Sequence, residues 1–436
     1  MKTTVGDPPR WYRWGILLMV SITVFGSYLA YDSIGPIGPM IKKALGYDSR
    51  QLGLLYSIYS IPNIVMVFLG GFVIDKIGTR LGGFIYAFLV LLGVLITAIA
   101  PSWHPVPSFI MQAIPAEWQW SPVFIWMLLG RFVFGLGSES LIVAQSTIIA
   151  RWFKGNELAL AFGLNLTVSR LGTFAAFFTF GWIADHFRSI QPVLWASVVL
   201  CAVSLASYLI YIAMDKNAER RFGLSMSDGG GDKVLLSDIW KFPASFWYIS
   251  TLCVLFYSSI FPFTAFSTDF FHEKWGYSQD YASKISSIII TFSMICTPIF
   301  GTLIDRYGRR ASVMIVGSLM LIPTYLLMGY TSLPPWIPMS IMGIAFSLVP
   351  AAMWPSMPLI INEARLGTAY GLMTMIQNFG LALFPFVIGC VHDKTGSYVP
   401  AMLVFSSLGV AGIVFAVLLY LRERERLELG RPATPP

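Results

Sequence analysis

Three charged side chains stand clear of the ends of long apolar runs: Arg131, Glu139 and Arg170. Placing such a charge at the centre of a bilayer costs on the order of 3 kcal/mol, so ions kept there mark pathways and sites. Asp32 adds a carboxylate near the end of the first apolar run. Arg170 sits at the middle of the run 158–184. Glu139 lies about 4.5 Å from the middle of the run 122–150, at ~1.5 Å of rise per residue. Successive spans run antiparallel, so Glu139 and Arg170 can approach at one depth. One fixed anion and one fixed cation complement a zwitterion, with the guanidinium forking onto a carboxylate. The alternative is a buried pair that only cross-braces the bundle, although such pairs are poor stabilisers.

The other polar candidates are weaker. Arg131 opens an RxxxG pattern, Arg131-Phe132-Val133-Phe134-Gly135, about two helical turns from Glu139. It either lines a cavity or ties the fourth span to the first. Asp32 follows Tyr31 and precedes Gly35-Pro36-Ile37-Gly38-Pro39, whose breakers should interrupt the first helix. It reads as a substrate or proton contact, or as a cap. The second half offers aromatic and amide groups: Tyr257, a break at Phe261-Pro262-Phe263, Trp354-Pro355 in a proline-rich tenth span, and Gln377-Asn378. Pro350, Pro355 and Pro358 make the Trp354 segment bendable and expose its backbone. All four histidines fall at or beyond expected external span ends, so proton coupling would rest on Glu139 or Asp32. Neither a Walker loop, zinc spacing nor a nucleophile elbow is present, so no cofactor, no metal and no enzyme chemistry is expected.

The elements that position these residues follow from composition. Hydrophobic residues make up 56% of the 436 and charged residues 12%, about half the charge of an ordinary globular chain. Twelve apolar stretches of membrane length occur: 14–34, 52–74, 81–100, 122–150, 158–184, 192–214, 246–270, 281–304, 311–330, 336–361, 367–391 and 399–421. In lipid, backbone amides must pair within their own segment, so these are helices. With the N-terminus inside, cytoplasmic segments hold 20 of 29 Lys and Arg and external loops seven, which puts both termini in the cytoplasm. The net charge of +7 therefore reports topology, and no nucleic-acid partner is expected. The partners expected are the lipid bilayer, a small-molecule substrate and protons, with the chain a monomer. All four cysteines lie within spans without paired spacing.

A short sentence is written twice, 230 residues apart: Gly71 to Arg80 reads GFVIDKIGTR, and Gly301 to Arg310 reads GTLIDRYGRR. The GxxxD element recurs at Gly181–Asp185 and Gly389–Asp393, so it closes spans 2, 5, 8 and 11. Inverted three-helix repeats nested in two six-helix bundles produce that spacing. The expected organisation is a cytoplasmic tail 1–13, a first bundle 14–214, a cytoplasmic linker 215–243 containing Gly229-Gly230-Gly231, a second bundle 244–421 and a tail 422–436. The loop 101–121, rich in Pro and Trp, is expected to lie along the external interface. Gly71, Asp75, Lys76, Gly78 and Arg80, with Gly301, Asp305, Arg306, Gly308, Arg309 and Arg310, are candidate gate residues. A carboxylate can latch on a neighbouring helix N-terminus in one state and release it in another.

The acidic-basic-Gly turn resembles the signature loop of the major facilitator superfamily, which implies an all-α membrane protein with twelve transmembrane helices. A longer resemblance runs through Phe134-Gly135-Leu136-Gly137-Ser138-Glu139-Ser140-Leu141, Val143-Ala144-Gln145, Trp152-Phe153-Lys154-Gly155, Phe162-Gly163-Leu164 and Arg170. It continues through Phe261-Pro262-Phe263, Phe270-Phe271, Trp354-Pro355, Leu366-Gly367-Thr368-Ala369-Tyr370-Gly371 and Gln377-Asn378. These stretches resemble the lysosomal dipeptide uniporter family of major facilitator superfamily domain-containing protein one. The resemblance implies that Glu139 and Arg170 hold peptide termini, and that Tyr31 and Trp354 match family site residues. Where that family has a Lys just before the Phe-Phe pair, this chain has Thr268 followed by Asp269, which opens the site to a different zwitterion or a more cationic solute. The N-tail holds no dileucine sorting signal, so a multi-pass protein of a bacterial inner membrane is expected.

Overall fold

In the computed structural model the described residues are almost all helical. The structure describes residues 8–102, 105–106, 111–112, 115, 120–153, 157–222, 242–361 and 365–428. The side chains of Phe68, Asp75, Ala159, Asp305, Leu366, Gly367, Glu423 and residues 425–428 are outside that description. Most of the Trp-rich loop and the Gly229-Gly230-Gly231 linker also lie outside the described residues.

The helices are α1 (Arg10–Tyr31), α2 (Gly38–Leu45), α3 (Ser49–Ile99), α4 (Pro122–Phe153), α5 (Leu158–Phe187), α6 (Gln191–Phe222) and α7 (Ala244–Trp275). They continue with α8 (Gln279–Tyr307), α9 (Arg310–Tyr330), α10 (Trp336–Met353), α11 (Met357–Ile360), α12 (Leu366–Thr395) and α13 (Val399–Glu428). Among the described residues, 11 segments are long and apolar enough to cross a membrane. The arm of α3 before its kink is a further long helical stretch beside them. That kink is at Gly78, with φ 80° and ψ 161°, inside the first GxxxDKxGxR turn. The equivalent glycine of the second turn, Gly308, has φ 66° and ends α8. Glycine takes a positive φ without the Cβ clash other residues meet, so each copy turns the chain from one span to the next at its glycine.

The break expected after Asp32 forms, and the segment expected to be bendable around Trp354 is interrupted as well. A 3-10 turn at Gly35–Ile37 separates α1 from α2, and another at Trp354–Ser356 separates α10 from α11. The break expected at Phe261-Pro262-Phe263 does not. Pro262 lies inside an uninterrupted α7, because one missing backbone hydrogen bond is tolerated where neighbouring helices enclose the segment. The linker also starts later than expected: α6 runs on to Phe222, so Asp215 is a helical residue.

Contacts divide the chain into two units. Unit one holds residues 1–34, 65–176 and 187–231; unit two holds 35–64, 177–186 and 232–436. In unit one, α1 packs along α6 and crosses α4. Near its end, Arg80 of the first GxxxD turn donates to Asp215 at 2.6 Å and to Glu219 at 2.8 Å. Asp215, 1% exposed, also takes Arg151 and the Trp152 indole N–H, the latter at 3.1 Å. A carboxylate so deeply buried is held by two guanidiniums and one indole. In unit two, α7 packs against α12 and α13, and α9 against α10 and α13. Lys274 donates to the carbonyls of Gly329 at 2.8 Å and Thr331 at 2.9 Å, satisfying orphan acceptors at the end of α9.

Candidate functional site

The charged candidates of unit one converge on the end of α1. Asp32 caps that helix, its N–H bonding Tyr28 O at 3.1 Å, and is 6% exposed. Its carboxylate hydrogen-bonds Thr173 of α5 and faces Arg131. Arg131, 2% exposed, donates to Ala30 O at 3.2 Å and Tyr31 O at 3.0 Å. Its guanidinium stands 5.5 Å from the Tyr31 ring and 5.2 Å from the Phe134 ring. Cations stabilise the carbonyl end of a helix, and this one bonds the last two carbonyls directly. Of the two sequence readings, the tie between the fourth span and the first is the one these bonds make.

Glu139 and Arg170 are half-buried, on α4 and α5. Tyr28, half-buried on α1, lies within electrostatic reach of Glu139, Arg170 and Asp32. Tyr31 faces Asp32, Arg131 and Glu139. Tyr28 and Tyr31 are three residues apart and share one face of α1. The packing that allows this is close. A methyl group on Gly172 would stand 2.3 Å from Phe25 O, so glycine lets α5 touch α1 two residues after Arg170. Ser27 and Ser138 hydroxyls meet at 2.9 Å and fix α1 against α4 beside Glu139. The result is a polar patch with one cation and one anion in reach of a common phenol.

The candidates of unit two form an aromatic cluster. The Trp354 indole N–H donates to the Tyr257 hydroxyl at 3.0 Å. Tyr257 stacks on Phe261 at 5.5 Å, and Trp354 on Tyr370 at 5.8 Å. The Tyr370 hydroxyl donates to Trp354 O at 3.0 Å, a carbonyl that also accepts the Met357 N–H. Gln377 accepts from the Cys253 thiol at 3.6 Å. Asn378 is 2% exposed and donates back to Thr374 O at 3.0 Å, while its Oδ1 has no protein partner. Thr268 is fully buried away from this cluster, on the next turns of α7 towards Asp269.

The gate candidates divide. Arg80 is engaged with α6 as described, and Arg310 donates to Pro355 O at 2.8 Å. A methyl group at Gly71 or Gly301 would meet ordinary contact or open space. The side chains of Asp75 and Asp305 lie outside the described residues. The other two GxxxD turns are tightly docked, both within unit two. Asp185 accepts from Asp280 N–H at 2.9 Å at the start of α8. Asp393 accepts from Ser49 N–H at 2.9 Å and Arg50 N–H at 2.8 Å at the start of α3. Carboxylates on free N–H groups at a helix start satisfy orphan donors and meet the positive end of the dipole. Asp269, 5% exposed, is paired with Lys42 at 2.8 Å and with the Tyr398 hydroxyl at 2.5 Å. Burial first, and then the Asp269 charge, holds the Tyr398 phenol well above its ordinary value, so it remains a donor.

Residues 20–295 and 252–435 match the family model described as Major Facilitator Superfamily. The chain belongs to that superfamily. It is 32% identical over 429 residues to the human lysosomal dipeptide transporter MFSD1, a match covering 96% of this chain and 88% of the relative. It is 23% identical over 432 residues to a probable sulfoacetate transporter of Cupriavidus necator, covering 91% and 92%. The nucleoside transporter NupG superposes with a TM-score of 0.70 at 17% identity, over 93% of this chain and all of that one, which speaks for the fold alone. The molecule is thus a multi-pass membrane protein of a transporter superfamily, with twelve helices in two homologous halves, and its kin are carriers of small molecules rather than enzymes.

Sequence reasoning missed Tyr28, Thr173, Asp215 and Tyr398, and noted Asp269 only as the residue after Thr268. A signal existed for Tyr28 and Thr173: each stands three residues from a candidate already chosen, on the same helical face. For Asp215 and Asp269 the signal was hidden, because both sit at the nominal ends of apolar runs where a charge reads as solvated.

Proposed function

We propose that the protein carries a small zwitterion, dipeptides foremost, across the membrane by alternating access, with Arg170 receiving the carboxylate and Glu139 the ammonium. The observation that carries this reading is Tyr28, which feels both Glu139 and Arg170 and so ties the two opposite charges to one patch of α1. The kinship to MFSD1, named as a lysosomal dipeptide transporter, supports the same substrate class. Within unit two, the aromatic cluster of Tyr257 and Trp354, with Gln377 and Asn378 on α12, is the candidate solute-contacting surface. Tyr31 and Asp32 line the end of α1, and Asp32 is the group suited to exchange a proton. The native setting we assign is a bacterial inner membrane, both termini cytoplasmic, with the chain acting as a monomer.

The second reading is an organic-anion carrier, favoured by the probable sulfoacetate transporter among the relatives. It needs Arg131 and Arg170 together. The Arg131 guanidinium is already committed to Ala30 O and Tyr31 O, which weighs against it. A third reading, a receptor built on a transporter fold, predicts ligand binding without transport.

The test is a thermal-shift screen of the purified protein with dipeptides, free amino acids and monocarboxylates, repeated on Glu139→Gln and Arg170→Ala. Stabilisation by dipeptides that both substitutions abolish is the expected result. Stabilisation by carboxylates alone, intact in Glu139→Gln, would sink the zwitterion site in favour of the anion carrier.

A further inference from the structure

The histidine beside Asp393 stands among five polar groups from four segments of unit two. Its Nε2 lies 2.8 Å from Glu273 Oε2 on α7. Its Nδ1 lies 2.8 Å from Ser49 Oγ at the start of α3 and 3.6 Å from Asp393 Oδ1. The ring centre is 4.0 Å from that of Tyr398, whose hydroxyl is 3.1 Å from Ser49 Oγ and 2.5 Å from Asp269 Oδ2. Lys42 completes the chain on Asp269. The charged groups around the imidazole are therefore Glu273 and Asp393 in contact, with Asp269, Lys42 and Arg50 beyond them.

Proton counting fixes the state of that ring. A carboxylate accepts only, so the Tyr398 hydroxyl must spend its hydrogen on Asp269. At the Tyr398–Ser49 contact the donor is then Ser49, whose single hydrogen is used there. Ser49 Oγ can only accept at its contact with the histidine, so Nδ1 carries a hydrogen. Glu273 also only accepts, so Nε2 carries one too. Both nitrogens donate, and His392 is an imidazolium in this arrangement.

We propose that His392 is a proton-operated staple that holds the expected external end closed. It joins α12 and α7 of the second half to the start of α3 from the first, at the place where Asp393 already docks on the same helix start. Closing brings Gly389 against that start so tightly that a methyl group would lie 2.3 Å from Ser49 O. When the imidazolium releases Nδ1–H to water, Ser49 Oγ loses its donor and the Asp393 pair loses its charge. The closed form binds this proton more tightly than an open form with a solvated ring, so acid favours closure and rising pH favours opening. The inference is independent of which solute is carried.

The experiment uses the full chain in nanodiscs, its four native cysteines replaced by serine, with spin labels at Lys43→Cys and Leu333→Cys. Double electron–electron resonance then gives the distance distribution between pH 5.5 and 8.5. The ratio of short to long distances should fall at least about tenfold as pH rises, the size of one charge-assisted hydrogen bond. In His392→Gln, which keeps a donor but cannot titrate, the ratio should stay flat. Glu273→Gln, on a side chain 35% exposed, should move the transition to lower pH without abolishing it. A wild-type ratio that does not change with pH, or a change of equal size in His392→Gln, would overturn the proposal.

Discussion

Arg131 shows how much a single side chain does in this molecule. Its guanidinium satisfies the last two carbonyls of α1 and neutralises Asp32 nearby, while its faces lie against Tyr31 and Phe134. Removing it leaves two buried acceptors and one buried carboxylate uncompensated. Arg131→Met should destabilise the purified protein by about 2 kcal/mol, the scale of hydrogen bonds from a charged donor. Arg131→Lys keeps the charge but loses the fork, and should fall between. An unchanged melting temperature in Arg131→Met would contradict this role. The sequence made the side chain conspicuous but left its role divided between cavity and tie. Which carbonyls a buried arginine reaches depends on how two helices cross, and spacing along one helix does not encode that. Glu139 and Arg170 were legible because mid-span charges are rare. Tyr28 was not, since a lone tyrosine on an apolar face reads as packing.

At the scale of elements, the four GxxxD turns were visible as a repeat, yet their present states differ. The glycines at 71 and 301 have room around them, whereas those at 181 and 389 lie against the starts of α8 and α3. The same five-residue phrase therefore packs its glycine against a helix start at one pair of sites and leaves room beside it at the other. Gly389→Ala should disturb the docked pair: its Cβ would collide with backbone at Ser49, and the variant should melt several degrees lower. Gly301→Ala should melt like the parent. Equal melting temperatures for the two variants would argue against a docked state at Gly389. The span boundaries were read well because lipid demands long apolar runs, and the breaks at Gly35–Ile37 and Trp354–Ser356 because Gly and Pro remove helical hydrogen bonds. Pro262 misled, since a proline marks a lost hydrogen bond but not whether surrounding helices hold the segment straight. Asp215 misled in the opposite sense: its charge reads as linker, and only the arginines at 80 and 151 reveal why α6 continues past it.

At the scale of the whole molecule, duplication explains the architecture and asymmetry explains the function. Both halves carry the same turn at the same place, with Gly78 and Gly308 both at positive φ. The halves differ in what lines them: charges in the first, aromatic and amide groups in the second. A solute that binds one conformation of such a carrier better than another shifts the population towards it, which is a requirement for coupling binding to closure. That division was legible from composition; the direction of transport and the identity of the solute are set by sub-ångström fit, which residue types do not specify. The most direct measurement is uptake of a radiolabelled dipeptide into proteoliposomes holding the wild-type chain, Glu139→Gln or Arg170→Ala. Saturable uptake by the wild type, lowered at least tenfold in both variants with protein still folded, is the predicted result. Uptake that persists in Glu139→Gln, or dipeptides that fail to enter while simple carboxylates do, would contradict the account.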